Sequence, residues 1–255
     1  MVIHVKFIIR KTQHNLFFGI KYKIMKLMSF NTLFCTNYFT KKIDFVAMAD
    51  VIKKCEPDIV GLNEMYGKSE MADYDSQTEK LADLSGLTYC NFAEACTLEE
   101  GTFGNGILSK ISFSSVEVIP IPEEEIKTGT QLYEPRCLLK VRYDNGLTVL
   151  VTHFGLNHDE HIHAVNTVLE NLEDEKCVLM GDFNVTPDND ILKPIQEKLV
   201  DTAIYFNKPY LTFPSTNPYK KIDYIFVSKD IKVISADVPQ IAVSDHLPHT
   251  VEIEV

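Results

Sequence analysis

Residues 178–190 read VLMGDFNVTPDND. An apolar run enters Gly181 and Asp182, Asn184 follows two positions on, and Pro187 breaks the chain. If extended backbone continues through this stretch, residues i and i+2 leave one face about 7 Å apart at Cα. A carboxylate at that point can accept a proton or orient a water, and a carboxamide can donate a hydrogen bond to an anionic oxygen. In isolation the same motif reads first as an Asx-turn that closes a strand.

Other apolar runs end in the same way. The run before residue 31 delivers Asn31, residues 58–63 deliver Glu64, residues 147–152 deliver His153, and VSDHLPH presents Asp245 and His246. Each alone has an ordinary explanation: a turn former, a surface acid, a satisfied core histidine. Asp223 is harder to explain that way. It lies among Ile222, Tyr224, Ile225 and Phe226, where a carboxylate needs a partner. The joint occurrence points to one site.

These residues need a scaffold of strands. Residues 24–34 read as a strand that ends near Asn31, and 58–64 as a short buried strand. Phe39, Ile43, Val46, Asp50 and Lys53 have helical spacing, which predicts a helix over 38–54 stopped by Pro57. A short helix over 76–84 ends at Gly86, and 103–110 and 111–121 read as strands. RCLLKVRY and LTVLVTHF, joined through Asp144, Asn145 and Gly146, form a hairpin. Residues 159–173 suit a helix, 177–181 a strand, 221–228 and 231–238 a strand pair, and HTVEIEV a closing strand. Strands dominate without a pure βαβ alternation, which favours stacked sheets with helices outside.

The 255 residues are 45% hydrophobic and 24% charged, with no linker or repeat, and suit one domain. Residues 1–26 carry Lys6, Arg10, Lys11, Lys21, Lys23 and Lys26 and no acid. Residues 1–24 are expected to be a disordered extension or an unused upstream start, with a basic surface anchor as the alternative. The domain expected to carry the site then spans 25–255. The apolar run over 5–9 is too short for a membrane span. Cys35, Cys55, Cys90, Cys96, Cys137 and Cys177 show neither CxxC pairing nor metal spacing, so reduced thiols and a cytoplasmic location are expected.

The net charge of -11 disfavours nucleic acid unless basic residues are focused locally. Lys41 with Lys42, Lys53 with Lys54, and Lys220 with Lys221 read as solvated faces, and Trp is absent.

In order from about residue 25 onward, SFNTL, IVGLNE, GNGILSK, YEPR, VTHFGL, GDFNVTPD, IDYIFVS and SDHLP resemble the endonuclease/exonuclease/phosphatase family of metal-dependent phosphohydrolases. That family includes pancreatic deoxyribonuclease, apurinic endonucleases, sphingomyelinases, inositol polyphosphate 5-phosphatases and deadenylases. The resemblance implies an α/β fold in four layers: two mixed β-sheets packed face to face, with helices on both outer sides. It also implies Mg²⁺, replaceable by Mn²⁺, and in-line attack of an activated water on a phosphate ester.

By resemblance, Glu64 is the direct Mg²⁺ ligand, Asn31 lies beside it or acts through a water, and Asp245 completes the metal site or supports it from behind the ligands. Asp182 orients and deprotonates the water. Asn184, His153 and His246 contact phosphate oxygens, Asp223 pairs with His246, and Arg136 clamps a phosphate oxygen. Two departures stand out. Leu33 occupies a position that is acidic in some apurinic endonucleases, which weakens the case for a second metal. His161 and His163 lie where relatives often carry Arg. The expected substrate is a small phosphodiester or phosphomonoester, bound by a monomer with weak nucleic-acid affinity. The alternatives are a DNA or RNA nuclease and, in another class, an inactive binding module, which would predict gaps in the constellation.

Overall fold

The computed structural model describes residues 24–69, 76–98, 101–205 and 209–255. The expectation for residues 1–24 lies outside the described residues, except that Ile24 opens the first strand. Two six-stranded sheets form the body of the molecule. The first runs β13 (Lys232–Asp237), β14 (His249–Glu254), β1 (Ile24–Asn31), β4 (Ile59–Ser69), β6 (Gly101–Ser109), β5 (Tyr89–Leu98). The second runs β11 (Leu199–Asp201), β12 (Asp223–Ser228), β10 (Cys177–Asp182), β9 (Thr148–His153), β8 (Cys137–Tyr143), β7 (Phe113–Pro120).

Strand alternation builds the layers. Met25 and Leu27 of β1 face the second sheet and pack with Val149, Val151, Val178 and Met180. Met28 and Phe30 point the other way, onto α1 (Phe45–Cys55) and α2 (Gln77–Ser85), where they meet Met48, Ile52 and Leu81. On the far side, Leu150, Leu179 and Phe226 pack with Ala164, Val168 and Ile195 of α3 (His158–Asn171) and α4 (Lys193–Lys198). Strands covered on both faces read as continuous apolar runs rather than alternating ones. The layers are therefore helices, sheet, sheet, helices, as the resemblance implies.

At the centre of each sheet lies a parallel pair, β1 with β4 and β9 with β10, each joined through a helix. Asn31 sits opposite Asn63 in the first pair, and Asp182 opposite His153 in the second. Both pairs bring their carboxyl ends to one place, because the Asn63 side chain donates to Thr152 O at 2.8 Å and accepts the Asp182 N–H at 2.9 Å.

Several local expectations need correction. The helix over 38–54 begins only at Phe45, because Asp44 caps it through the Ala47 N–H. Before it, β2 (Thr36–Asn37) and β3 (Lys42–Ile43) form a small hairpin, and Phe39 is 60% exposed. The first strand, by contrast, ends at Asn31 as expected, and Leu33, Phe34 and Cys35 after it all take positive φ. β4 does not end at Glu64; it passes a bulge between Leu62 and Met65 and runs on. Sequence reasoning missed β5, α4 and β11. Lys221 is not solvated: it is buried, paired with Asp201 at 2.8 Å and lies over the Tyr224 ring.

Candidate active site

Glu64 occupies the β4 bulge with φ 52°. A bulge re-aims one side chain without ending the strand. Thr32 Oγ1 and the Phe34 N–H hold the Glu64 carbonyl at 2.9 and 3.0 Å, so the Glu64 side chain projects half-buried beside Asn31. Asn31 Nδ2 donates to Glu64 Oε1 at 2.9 Å and to Asp182 Oδ2 at 3.0 Å, and its Oδ1 accepts the Leu33 N–H. One amide therefore bridges a carboxylate from each sheet. Behind it, Asn63 also donates to Asn105 Oδ1 at 2.8 Å, and Asn105 donates to Cys137 O at 3.0 Å. Asn63 and Asn105 are fully or nearly fully buried and stitch the sheets where the site forms. Sequence reasoning missed both, although an amide inside an apolar strand is the same signal that singled out Asp223.

In the second sheet, the Asx-turn reading of the opening motif is correct and coexists with the site. Asp182 Oδ1 accepts the Asn184 N–H at 2.9 Å. The same-face spacing does not hold: β10 ends at Asp182, and Asn184 takes φ 53°, a left-handed conformation that Asn tolerates better than most residues. Gly181 is required just before, because its φ is +147° and a Cβ there would come within 1.8 Å of Thr152 O.

Asp182 Oδ2 is the hub. Besides Asn31, it faces His246 Nε2 at 3.6 Å and His153 Nε2 at 3.7 Å. His246 Nδ1 lies 2.9 Å from Asp223 Oδ2, and Phe213 packs against the imidazole. Asp223 reaches this position because β12 pairs antiparallel with β10 and places Asp223 opposite Asp182. His153 Nδ1 lies 3.1 Å from Arg136 Nη1, and Arg136 Nη2 pairs with Glu134 at 2.7 Å. Asn184 Nδ2 donates to Phe154 O at 3.0 Å and lies 3.2 Å from His153 Nε2.

The remaining expected residues sit differently. Burial raises the Glu64 carboxyl, and half-buried Asp245 nearby adds to this with its charge, but Asp245 Oδ1 accepts from Ser244 and makes no hydrogen bond to Glu64 or Asn31. His161 is buried and binds Gly155 O at 2.8 Å, and His163 pairs with Glu124 at 2.7 Å. Both histidines brace the α3 region.

Burial drives the electrostatics. It pushes Asp182 up from the usual carboxylate range, and nearby Asp223 adds to this against the opposing charge of His246. Burial alone would depress His246, but Asp223 and Asp182 overcome it and push it up to about 10. His153 is held well below the ordinary imidazole range by burial, Arg136 and His246. The site thus pairs an imidazolium with a neutral imidazole around one carboxylate.

For a cation, the donors around Glu64 suit a hard divalent ion. They are oxygens on a half-open carboxylate, with Asp245 adding negative charge and no thiol in the cluster. Asp182, Asp223 and His246 also place ligand atoms within 4.8 Å of one another. There, however, the Asp223–His246 hydrogen bond already occupies the imidazole Nδ1.

Among solved structures, an endonuclease/exonuclease/phosphatase from Beutenbergia cavernae DSM 12333 superposes with TM-score 0.77 at 23% identity, covering 91% of this chain and 72% of its own. A mannosyl-6-phosphatase from Bacteroides thetaiotaomicron VPI-5482 gives TM-score 0.70 at 15% identity, covering 90% and 99%. A D. rerio TDP2 humanized by 14 mutations gives 0.62 at 16%, covering 91% and 99%. At these identities the likeness is one of fold. No curated protein matches the sequence. The model of the Endonuclease/Exonuclease/phosphatase family matches residues 28–246, from within β1 to His246, and so takes in every residue of the cluster around Asp182: the chain belongs to that family.

Proposed function

We propose that the protein is a Mg²⁺-dependent phosphoesterase that hydrolyses a small phosphodiester or phosphomonoester. One observation carries this reading: Asp182, at the carboxyl end of β10, is surrounded by Asn31, His153 and His246 from three other segments. When bound, the divalent cation, Mg²⁺ or Mn²⁺, neutralises charge on the phosphate oxygens. Glu64 would hold it, with Asn31 and Asp245 alongside.

The chain's own groups supply the remaining steps. Asp182, raised by burial, accepts a proton from the attacking water. His246, charged through Asp223, donates Nε2–H toward the phosphate. His153 and Asn184 contact other phosphate oxygens. The Asp223–His246 bond fixes the His246 ring orientation.

A small substrate is favoured over a nucleic acid because the basic groups nearest the cluster are already committed. Arg136 is buried against Glu134 and Lys221 against Asp201. The likeness to TDP2 keeps a nuclease as the second reading. The test is a panel of phosphomonoesters, phosphodiesters, lipids and nucleic acids with Mg²⁺ or Mn²⁺. Turnover of a small ester, abolished by EDTA and restored by the metal, is expected. Turnover of nucleic acid alone would promote the nuclease, and no turnover of any ester would favour an inactive binding module. Location in the cytoplasm belongs to the same proposal; among the described residues, no helix is long and apolar enough to cross a membrane.

A further inference from the structure

His153 has a donor facing each ring nitrogen. Arg136 Nη1 lies 3.1 Å from Nδ1, and Asn184 Nδ2 lies 3.2 Å from Nε2. A neutral imidazole offers one acceptor and one donor, so both contacts cannot be hydrogen bonds. The guanidinium does not give up its proton, so Nδ1 must be the acceptor. The Asn184 amide cannot turn over to offer its oxygen instead, because the same Nδ2 donates to Phe154 O at 3.0 Å, and an oxygen there would face a carbonyl.

We infer that Arg136 is a positioning residue that fixes His153 as its Nε2–H tautomer, so that His153 Nε2–H and Asn184 Nδ2–H converge on one anionic oxygen. Two donors 3.2 Å apart repel one another unless an acceptor sits between or above them, which is how a phosphate oxygen would be received. Glu134 aims the guanidinium through its 2.7 Å ion pair, and the cation lies 5.3 Å from the Phe103 ring centroid. Arg136 is 8% exposed, so the fork is packed in place. With Nη1 on His153 and Nη2 on Glu134, Arg136 acts through His153 in this arrangement, rather than as the direct phosphate clamp that the resemblance implies. Burial and the neighbouring Arg136 and His246 charges keep the ring neutral, in keeping with the geometry.

This inference rests on the phosphoesterase reading for its purpose but not for its test. Full-length protein labelled with ¹⁵N-histidine is examined by long-range ¹H–¹⁵N correlation NMR, with His153 assigned by its loss in His153→Asn. The wild type should show Nε2 protonated and Nδ1 bare. Arg136→Lys, which retains a donor, should keep that tautomer. Arg136→Met should release it to a mixture or to Nδ1–H. Should a substrate be in hand, Arg136→Met should also lower kcat/KM by roughly 10²-fold, about the loss of one such donor. A wild-type His153 protonated at Nδ1 would overturn the inference without any variant, as would an unchanged tautomer in folded Arg136→Met. Absence of turnover would strike the phosphoesterase reading and leave the tautomer result standing.

Discussion

The parallel pairs at the centres of the two sheets use one device for different ends. β1 finishes in Asn31, where its pairing with β4 also ends at Asn63, next to Glu64; β9 and β10 finish in His153 and Asp182. In the first sheet the strand bulges and continues, leaving Glu64 half-buried. In the second the strand stops in an Asx-turn, leaving Asp182 1% exposed beneath two imidazoles. A carboxylate at the first kind of end stays open to a hard cation. A carboxylate at the second kind is desolvated and suited to hold a proton. Burial raises both acids, but Asp182 is the more fully enclosed, and Asn31 joins them with one amide nitrogen.

The sharpest way to break this contrast is to neutralise each acid in turn. Asp182→Asn should lower kcat by roughly 10²-fold or more with the fold intact, and added metal should not restore it. Glu64→Gln should instead raise the metal concentration needed for half-maximal rate, and excess Mg²⁺ should recover much of the activity. Metal titrations of both variants check this, and identical responses would erase the distinction.

The second sheet's network can be tested for unity. Asp223→Ala and His246→Ala should be strongly non-additive in kcat/KM, because the 2.9 Å bond makes them one group. Additive losses in a double-mutant cycle would separate them.

A smaller effect should come from the seam between the sheets. Asn63→Ala leaves the Asp182 N–H without its acceptor and Asn105 Oδ1 without its donor. Stability should fall by about 2–3 kcal/mol in denaturant unfolding, with an unchanged m-value.

The smallest step, counted per pH unit, should be a pH effect on β14. His249, fully buried on β14 opposite Ser29, is lowered to about 4 by burial and by Lys221. Between an unfolded value near 6.5 and the folded value, the unfolded chain binds a proton that the native state does not. Stability should therefore fall as pH drops through this window, by about 1.4 kcal/mol per unit. Unfolding titrations of His249→Phe should show a flatter acid limb.

Much of this was legible in the chain. Asp223 stood out because a carboxylate in a strand of Ile, Tyr and Phe needs a partner, and the structure supplies His246. The Asn-Gly hairpin between β8 and β9 appears as expected, with Gly146 at φ 85°. The helix over 38–54 was misjudged because Phe39 and Ile43 mimic helical spacing, whereas Asp44, tied to Asn37 at 3.1 Å, makes a better cap than interior residue. Lys221 looked like half of a solvated pair because its partner, Asp201, lies on another strand.

By itself the sequence determined the layered sheet architecture and which strands end in polar groups. Apolar periodicity and turn chemistry act over a few residues, so they can be read without coordinates. Tertiary structure alone decided which acid stays open and which is sealed, how Asn63 and Asn105 lock the sheets, and which nitrogen of His153 faces Arg136. Those properties depend on desolvation and on hydrogen bonds between segments far apart in the chain, such as the 151-residue separation of Asn31 and Asp182, and no local pattern records them.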